Sequence, residues 1–431
     1  MGFALTLYYL LSTFLTPAEV MPALLPYRIM LVLLLLTLAA STFTMLGSGF
    51  SFKAPQLILL FALVADVAVS VLWSVRWLAG ALDATLDLLF LAGIVLMVAW
   101  NVTSASRLRK LTYLLVAVGV LISLQGIIGL ETGYRREEFV LNQHDVDEAD
   151  NPIQFDRIRG LGVLNDPNDL GQFLLIDLAL LTCCWKKKSL MSNLVPVILP
   201  SVILLTGILL TRSRGTILGL IGFLILIFQK RLGKFGLVLA SVAGVAGLGA
   251  MVFLTDRSVS MSEGSAAGRL DAWYAGMQML KGSPIFGVGF NQFTEHHFRT
   301  AHNSYMLCVA ELGFPGFFLW LGMIVASVFQ MRAVSLLPGE GPEIDELKQS
   351  GRSVYVALLM FGFTGWFLSR AFTTILFVLI GCAIAVTEMT LRSGVEETAK
   401  PKVSWAMVTA ATAVVFLAFV DILLRIRGVS S

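Results

Sequence analysis

Residues 55–74 read PQLILLFALVADVAVSVLWS, a stretch in which Asp66 is the single charged side chain. A helix of this length rises about 30 Å, which is the thickness of the hydrocarbon core of a bilayer. Similar runs recur through the 431 residues of the chain, which is 57% hydrophobic and 14% charged, with a mean hydropathy of +0.83. These values exclude a soluble globular protein and predict an integral membrane protein.

Apolar runs of about 17 to 25 residues continue from end to end, and each can cross the bilayer as a helix. The first, GFALTLYYLLSTFL, lacks the basic start and the cleavage site of a signal peptide, so we expect a retained span. The expected fold is an all-α polytopic membrane protein with about 12–13 transmembrane helices. The candidate spans lie near residues 3–16, 27–46, 55–74, 81–101, 111–130, 168–185, 192–210, 215–229, 235–254, 313–330, 353–369, 371–391 and 404–424.

Basic residues in alternate short loops predict the orientation of the chain. We expect these loops in the cytoplasm, which places the amino terminus there too. An odd number of spans then puts Arg425 and Arg427 outside, so either a span near 353–391 is miscounted or the last helix is atypical. The basic loops carry Lys53; Arg107, Arg109 and Lys110; Lys186, Lys187 and Lys188; and Lys230, Arg231 and Lys234.

Two long loops, residues 131–166 and 255–303, lie on the opposite side, which is the periplasm in a bacterium, and are expected to contain short amphipathic helices. Between them they hold every histidine of the chain, His144, His296, His297 and His302. The acidic stretch HDVDEAD, residues 144–150, is compatible with a divalent-cation site, a lid or a solvated loop. The predicted organisation is N-terminal transmembrane helices (1–130), the first periplasmic loop (131–166), central transmembrane helices with an arginine turn (167–254), the second periplasmic loop (255–312) and C-terminal transmembrane helices (313–431).

The stretch LLTRSRGTILGL, residues 209–220, places Arg212 and Arg214 at the outer end of a span, against the usual cytoplasmic bias of arginine. One interpretation is snorkelling, in which long side chains reach the lipid headgroups. The other is an anion site, because guanidinium groups stay charged and bind phosphate oxygens two at a time. A lipid diphosphate would lie at that depth.

The stretch RIRGLGVLNDPNDLGQF, residues 157–173, again combines arginines with a span boundary. Asn168 or Asp169 is expected to cap the helix that follows Pro167. Capping leaves Arg157 and Arg159 unexplained, so both are candidate substrate-binding residues.

The second long loop contains GRLDAWYAGMQML, residues 268–280, whose apolar residues recur at helical spacing. This pattern predicts an amphipathic helix along the outer interface of the membrane. The residues on its apolar side are Leu270, Trp273, Met277 and Leu280.

The loop ends in FRTAHNSYMLCVAELGFPG, residues 298–316. Asn303 or Ser304 is expected to cap a helix that Gly313 ends, and Pro315 to begin the next span. Capping does not require His302. A neutral imidazole suits the removal of a proton from an attacking hydroxyl group, and the alternative is a loop histidine bonded to a carbonyl. No HxxxH or HExxH spacing occurs and no cysteine lies in an outer loop, so neither a metal site nor a disulfide is expected.

Four motifs in this order resemble the O-antigen ligase and polymerase superfamily of bacterial inner-membrane proteins: RGLGVLNDPNDLGQF, TRSRGTILGL, GRLDAWYAGMQMLKGSPIFGVGFNQF and AHNSYMLCVAELGFPGFFLW. The resemblance covers residues 157–330, and the amino-terminal third is similar only in hydropathy. It implies a GT-C-like glycosyltransferase that takes a glycan from undecaprenyl diphosphate at the periplasmic face and passes it to a sugar hydroxyl, without a cofactor, nucleotide sugar or metal. The implied partners are the lipid-linked donor, a glycan or lipid A core acceptor and membrane lipids, and not nucleic acid.

The resemblance also implies roles for particular residues. Arg212 and Arg214, from TRSRG, would hold the donor diphosphate, and His302, from HNSY, would activate the acceptor. Arg269 and Arg159 are carried over as arginines of matching motifs, without defined partners. The expected substrate-binding set is completed by Arg157 and Asn303.

Several alternatives stay open. A retaining reaction would need a carboxylate nucleophile, and Asp256, Glu263 and Asp271 lie in the second loop. The acceptor can be another lipid-linked repeat, as in a polymerase, which we slightly favour, a lipid A core, as in a ligase, or a protein side chain. A different class is a transporter of the lipid-linked glycan, for which charges within spans or broken helices in matching halves are expected. The acids in or near spans are Asp66, Asp83, Asp87 and Asp177, and no internal repeat is evident.

Overall fold

Long helices follow one another along the chain, and a single β-hairpin interrupts them in the part that the structure describes. This computed structural model describes residues 1–17, 28–146, 152–187, 189–228, 233, 266–394 and 404–426. The elements are α1 (Gly2–Leu15), α2 (Ile29–Ser48), α3 (Pro55–Ser74), α4 (Leu78–Asn101), α5 (Ala105–Thr132), β1 (Val140–Val146), β2 (Pro152–Ile158), α6 (Pro167–Leu181), α7 (Leu190–Leu210), α8 (Arg214–Phe228), α9 (Ala266–Gly282), α10 (Ser304–Ser335), α11 (Pro342–Gly365), α12 (Thr374–Arg392) and α13 (Trp405–Ile426). The predicted span 235–254 and the basic residues Lys188, Lys230, Arg231, Lys234 and Arg427 lie outside the described residues.

The described helices coincide with the other predicted spans and confirm an all-α polytopic membrane fold. Eight of them, α2 to α5, α7, α10, α12 and α13, are long and apolar enough to cross a membrane by themselves. α1 and α8 are apolar but shorter. α6 has only 15 residues, and all of its side chains except Asn168 are buried. A helix surrounded by protein does not have to match the thickness of the lipid, so α6 can be shorter than a helix that spans the bilayer alone. Its apolar composition is what makes it a predicted span.

α12 is the central helix of the bundle. Its residues from Thr374 to Val386 are all buried, and it packs against α4, α10 and α11. Gly381 brings it close to α4, because a Cβ atom at this position would lie 3.0 Å from the carbonyl oxygen of Val95. Small residues allow such close approach between membrane helices, where van der Waals packing is a main source of association.

Polar contacts divide the bundle into two ends. At one end, Lys187 pairs with Asp345 at 3.0 Å and Arg109 with Glu346 at 3.2 Å. These contacts join the loops that were predicted to be cytoplasmic. At the other end, which we call the His302 end, Ser304 Oγ donates to the carbonyl oxygen of Leu368 at 2.6 Å.

The last helix ends at the His302 end. Trp405 begins α13 near Gly322, which lies midway along α10. Further on, Phe416 contacts Tyr305 and Trp366, both at the His302 end. The structure therefore favours an atypical last helix over a miscounted span near 353–391. The basic residue there is neutralised locally, since Arg425 Nε lies 2.7 Å from Asp421 Oδ2.

The first long loop corrects one expectation, since it forms a hairpin instead of an amphipathic helix. After a short helical turn, Arg136–Phe139, strands β1 and β2 pair antiparallel with Val140 opposite Ile158. Ile158 is fully buried against α5, where a Cβ atom at Gly126 would approach it to 2.8 Å. Apolar and polar residues alternate only in part along the two strands. The close fit of Ile158 over Gly126 that fixes the hairpin is a long-range contact, which the sequence of the loop does not indicate. Side chains of the acidic stretch 144–150 lie outside the described residues.

The second long loop contains the predicted helix, α9, which packs on protein. Trp273 and Leu280 are buried on its apolar side, and α9 contacts α10 and α13. The apolar stripe therefore covers the bundle instead of lying along the lipid. After α9, α10 runs from Ser304 through a break at Gly313, where φ is 66° and ψ is −165°. This break lies where the sequence predicts the end of one helix and the start of the next.

Candidate active site at the His302 end

The start of α10 holds His302 in an unusual backbone conformation. Asn303 is the N-cap, because its side-chain oxygen accepts hydrogen bonds from the backbone N–H groups of Tyr305 at 2.9 Å and Met306 at 3.0 Å. His302 precedes this cap with a φ of 48°, in the left-handed region that few residues other than glycine adopt. Asn303 is fully buried. The predicted cap is confirmed: Asn303 caps the start of α10 directly after His302.

His302 is partly exposed and has charged neighbours from two other segments. Burial by the surrounding protein lowers the pKa of His302, and Arg269 and Arg299 lower that pKa further by repulsion. Asp166 opposes this effect by attraction. The net direction is downward from an ordinary value near 6.5, which favours the neutral imidazole that can accept a proton.

α9 is attached directly to the segment that carries His302. The indole N–H of Trp273 donates to the carbonyl oxygen of Ala301 at 2.9 Å. Near the start of α9, the guanidinium group of Arg299 lies against Gly268, since a Cβ atom there would be 2.5 Å from Arg299 Nη1. Arg269, for which the sequence defined no partner, lies close enough to His302 to act on it electrostatically. The contacts of α9 also add Arg299, which the sequence reasoning did not select.

Arg212 and Arg214 occupy the turn between α7 and α8. Arg212 has a φ of 49°, and its guanidinium group lies 5.6 Å from the ring centroid of Phe155 in the hairpin. It also interacts electrostatically with Asp156. Arg214 is exposed at the start of α8. The hairpin therefore forms one wall of the arginine turn.

Arg157 is a buried connector instead of a ligand-facing residue. Its guanidinium donates to the carbonyl oxygen of Thr211 at 2.7 Å, to Gln143 at 2.8 Å and to Asn168 at 2.8 Å. Only 5% of the residue is exposed. Arg157 thus ties the hairpin and α6 to the residue that precedes Arg212.

Arg159 lies at the base of the hairpin. Its Nη2 donates to the carbonyl oxygen of Glu137 at 2.6 Å, and its backbone N–H donates to the carbonyl oxygen of Phe139. These bonds link β2 to the short helical turn before β1. These contacts hold Arg159 at the short helical turn. They do not connect it to His302 or to the arginine turn.

The start of α6 corrects the predicted cap. Asp166 is the N-cap, and it accepts from the backbone N–H of Asn168 at 2.7 Å. Asn168 is therefore free to receive Arg157, and Asp169 takes a different role. The cap lies two or three residues earlier than predicted because Pro167, whose fixed φ suits the first helical position, leaves the preceding residue as the cap.

Asp169 and Arg370 form an ion pair that sequence reasoning missed. Asp169 Oδ2 lies 2.5 Å from Arg370 Nη2, and the carboxylate is 7% exposed while the guanidinium is 43% exposed. The backbone N–H of Arg370 donates to Ser304 Oγ at 3.0 Å, two residues from His302. A signal existed, because Arg370 is an arginine at the outer end of a predicted span, as Arg212 is.

A continuous series of contacts therefore connects the two candidate groups. It runs from the arginine turn through Arg157 to the start of α6, then through Asp169 and Arg370 to Ser304 beside His302. Close packing adds to it, since a Cβ atom at Gly215 would meet Phe367 at 2.8 Å. Both groups thus lie at the His302 end of the bundle.

The candidate nucleophiles of the retaining alternative are differently placed. Asp271 Oδ2 lies 3.0 Å from His297 Nε2, and His297 Nδ1 lies 2.8 Å from the carbonyl oxygen of Arg299. This carboxylate is engaged in holding α9 to the loop. Asp256 and Glu263 lie outside the described residues.

A cavity of about 520 Å³ opens at this end of the molecule, beside α9. Its lining comes from the end of α3, the second half of α9 and the segment 283–296. It includes neither His302 nor the arginine turn. The lining residues are Trp73, Ser74, Ala275, Gln278, Met279, Gly282, Ser283, Gly287, Val288 and His296.

Comparison with protein families gives one match. A model of the O-antigen ligase family matches residues 199–321, from α7 into α10. The matched segment contains Arg212, Arg214, Arg269 and His302, whereas Arg157 precedes it. A search of curated proteins finds no match. The matched segment, 123 of the 431 residues, is therefore similar to the O-antigen ligase family, which agrees with the resemblance of the sequence motifs to the O-antigen ligase and polymerase superfamily.

Proposed function

We propose that the protein transfers a glycan from a polyprenyl diphosphate, of the undecaprenyl type, to a hydroxyl group of an acceptor glycan at the periplasmic face of the inner membrane. The observation that carries this proposal is the arrangement of His302, which has a lowered pKa, at the same end of the bundle as the arginine turn. The family-matched segment contains both. The acceptor is a second lipid-linked repeat or a lipid A core, and we favour the repeat, as in a polymerase.

The chemistry is a single displacement at the anomeric carbon of the donor. His302 accepts the proton of the acceptor hydroxyl as its oxygen forms a bond to that carbon. The bond from the carbon to the diphosphate oxygen breaks, and the lipid diphosphate leaves with both electrons. Attack opposite the leaving group inverts the configuration, so no carboxylate nucleophile or metal is needed.

Arg212 and Arg214 act on the leaving group in this proposal. Negative charge develops on the diphosphate as the bond breaks, and fixed guanidinium groups stabilise that charge most in the transition state. Two features support a fixed arrangement, the ring of Phe155 beneath Arg212 and the buried connector Arg157 at Thr211. Snorkelling arginines do not require such a wall.

The proposal is tested with purified protein, lipid-linked glycan and either acceptor. Replacing His302 with Ala should lower transfer by about 10²–10⁴-fold, as expected for loss of a general base, while donor binding is retained. Arg212→Gln and Arg214→Gln should each cost ~2 to 4 kcal/mol in transfer and weaken donor binding.

Arg76→Gln is the matched control for the arginine variants. Arg76 is also an exposed arginine at the His302 end with a positive φ, 57°, but it precedes the family-matched segment. Its replacement should leave transfer unchanged. Normal product from His302→Ala, or equal effects of all three arginine variants, would contradict the proposal.

One buried acid and one half-buried acid favour a second candidate function, proton-coupled transport of the lipid-linked glycan. Asp177 in α6 is fully buried, and both of its carboxylate oxygens lack a hydrogen-bond partner among the described residues. Asp66 Oδ2 in α3 is likewise unpartnered there. Acids within spans often belong to proton pathways. Transport predicts that Asp177→Asn stops movement of the glycan, whereas transfer predicts a new glycosidic bond in the purified system and normal turnover by this variant.

A further inference from the structure

The cavity beside α9 is not used by the chemistry described above, and its lining suits a sugar. We propose that this cavity binds a saccharide unit of the acceptor glycan. The inference rests on the proposed function, because it assigns the acceptor side of the same reaction. A volume of about 520 Å³ is within the usual range for small-molecule sites and accommodates one or two sugar rings.

An aromatic side chain forms one wall of the cavity. Trp73 is 66% exposed, and its ring is supported from one side by Phe286 at a centroid distance of 5.3 Å. A supported and exposed indole offers a flat apolar surface to the C–H face of a sugar, together with an N–H donor. Location at the end of a span explains the exposure of a tryptophan in general, since such residues collect at the membrane interface. It does not explain why polar groups converge beside this one.

Those polar groups supply the hydrogen bonds that sugar hydroxyls require. Gln278 and His296 are exposed on the lining, and Ser283 is half-buried there. An amide, an imidazole and a hydroxyl group can each both donate and accept, which matches the dual character of a sugar hydroxyl. The lining carries neither lysine nor arginine, so an anion such as a phosphate is a poorer match.

The position of the cavity fits the acceptor instead of the donor. Helices pack in a row from α3 to α10, then α11, α6 and α7. The cavity lies at α3, the arginine turn follows α7, and His302, just before α10, lies between them. In an in-line displacement the nucleophile attacks the side of the anomeric carbon that is opposite the leaving group. With the diphosphate at the arginine turn, the acceptor enters from the flank of the cavity.

α9 connects the cavity to the reacting centre. Arg269, whose charge acts on His302, lies near the start of this helix, and Gln278 lies nine residues later. At 1.5 Å per residue the two positions are about 14 Å apart, the length of about two to three sugar units. The cavity therefore holds a sugar that follows the reacting unit, and it contributes to recognition without touching the bond that forms.

Gly282 makes a sharp test possible. It lines the cavity at the end of α9, and a Cβ atom at this position would meet no atom within 4 Å. Gly282→Phe should fill the cavity without straining the backbone, and Gly282→Ala is the control that keeps the space open. Trp73→Ala and Gln278→Ala remove the aromatic wall and the amide. Trp77→Ala is the matched control, an indole that is 55% exposed in the same turn but does not line the cavity.

Two measurements decide the matter. In steady-state transfer assays, we expect Gly282→Phe, Trp73→Ala and Gln278→Ala each to raise the KM for the acceptor by about tenfold with little change in the KM for the donor. In saturation-transfer NMR without donor, the wild-type protein should contact the lipid A core oligosaccharide or the deacylated repeat-unit oligosaccharide. Gly282→Phe should lose that contact, while Gly282→Ala and Trp77→Ala keep it.

The two proposals fail in different ways. An unchanged acceptor KM and undiminished oligosaccharide contact in Gly282→Phe, in protein that transfers glycan, would overturn the saccharide site alone. If the wild-type protein forms no glycosidic bond but contacts the oligosaccharide, and Gly282→Phe loses that contact, the transfer reaction is overturned and the saccharide site is kept. Equal effects of Trp77→Ala and Trp73→Ala would assign both indoles to the membrane interface and overturn the site.

Discussion

At the scale of single residues, the two principal candidates share a backbone conformation that ordinary residues avoid. Arg212 and His302 have φ values of 49° and 48°. Left-handed conformations cost about 1–3 kcal/mol at non-glycine positions and persist where surrounding contacts hold them. The cap of Asn303 and the bond from Trp273 to Ala301 provide such contacts at the histidine.

The pH dependence of transfer tests the charge state of His302. Only the neutral imidazole accepts a proton, so activity should fall as pH decreases through its pKa. Because burial, Arg269 and Arg299 lower that pKa, the midpoint of the acid limb should lie below 6.5. Measurement of kcat/KM between pH 4.5 and about 8 gives the value for the free enzyme.

Arg269→Gln is the companion to this measurement. Removing one of the two repelling cations should move the acid limb to higher pH, a shift that a purely structural role for Arg269 would not produce. Arg76→Gln, far from this charge cluster in the chain, should leave the profile in place. A midpoint above 6.5 in the wild-type protein would contradict the lowered pKa, and the absence of an acid limb would contradict the base assignment.

At the scale of elements, the break in α10 connects the membrane bundle to the site. At Gly313, φ is 66°, and a Cβ atom would lie 2.4 Å from the carbonyl oxygen of Ile285. The same break lets Gly287 and Val288 approach α10, where the N–H of Val288 donates to the carbonyl oxygen of Ala310. The loop after α9 is thus seated on the first half of α10.

Gly313→Ala should destabilise the protein. The backbone at Gly313, with a φ of 66° and a ψ of −165°, lies in a region essentially restricted to glycine and costs alanine about 1–3 kcal/mol, and the contact with Ile285 adds to that cost. Gly322→Ala lies in the same helix at a position where a Cβ atom meets Leu59 and Trp405 at an ordinary 3.4 Å, so its effect should be much smaller. Thermal unfolding in detergent compares the two variants. Equal melting temperatures of the two variants would show that the break in α10 does not require glycine at position 313.

The hairpin and the arginine turn should behave as one unit. Arg157→Lys removes a planar group that bonds to Thr211, Gln143 and Asn168, and lysine cannot reproduce this fork. We expect a loss of about 3 kcal/mol in stability together with weaker donor binding. Arg159→Lys, which concerns a half-buried arginine with a bond to Glu137, is the control with a smaller expected loss. Donor binding unaffected by Arg157→Lys would separate the hairpin from the turn.

At the scale of the whole molecule, the separation of polar contacts into two ends predicts the topology. We predict that the end with the Lys187–Asp345 pair is cytoplasmic and that the His302 end, with Arg299, faces the periplasm. The direction of α13 places Arg425 at the His302 end, although a basic residue is more usual at the cytoplasmic end.

Cysteine labelling in intact cells checks this arrangement. A membrane-impermeant maleimide should react with Arg299→Cys and Arg425→Cys directly, and with Lys187→Cys only after the inner membrane is made permeable. The four native cysteines are buried and provide a low background. Labelling of Lys187→Cys and not Arg299→Cys in intact cells would invert the orientation and place the proposed site in the cytoplasm.

Local chemistry explains which features could be predicted from the sequence alone. Apolar length predicts the membrane spans, Asn303 predicts the cap before Tyr305, and Gly313 predicts the break, because each depends on a few consecutive residues. The arginine turn and His302 stand out for the same reason, since polar side chains at the ends of spans are visible in an apolar chain. The all-helical membrane class follows from composition.

Only the tertiary structure decided which of these residues meet. Asp169 and Arg370 are 201 positions apart in the chain, yet they form the ion pair beside Ser304. Arg157, which by sequence looks like a ligand residue, is buried because Thr211, Gln143 and Asn168 surround it. The hairpin and the cavity beside α9 likewise arise from contacts between distant segments. Such contacts depend on the free energy of packing the whole bundle, which no short stretch of sequence encodes.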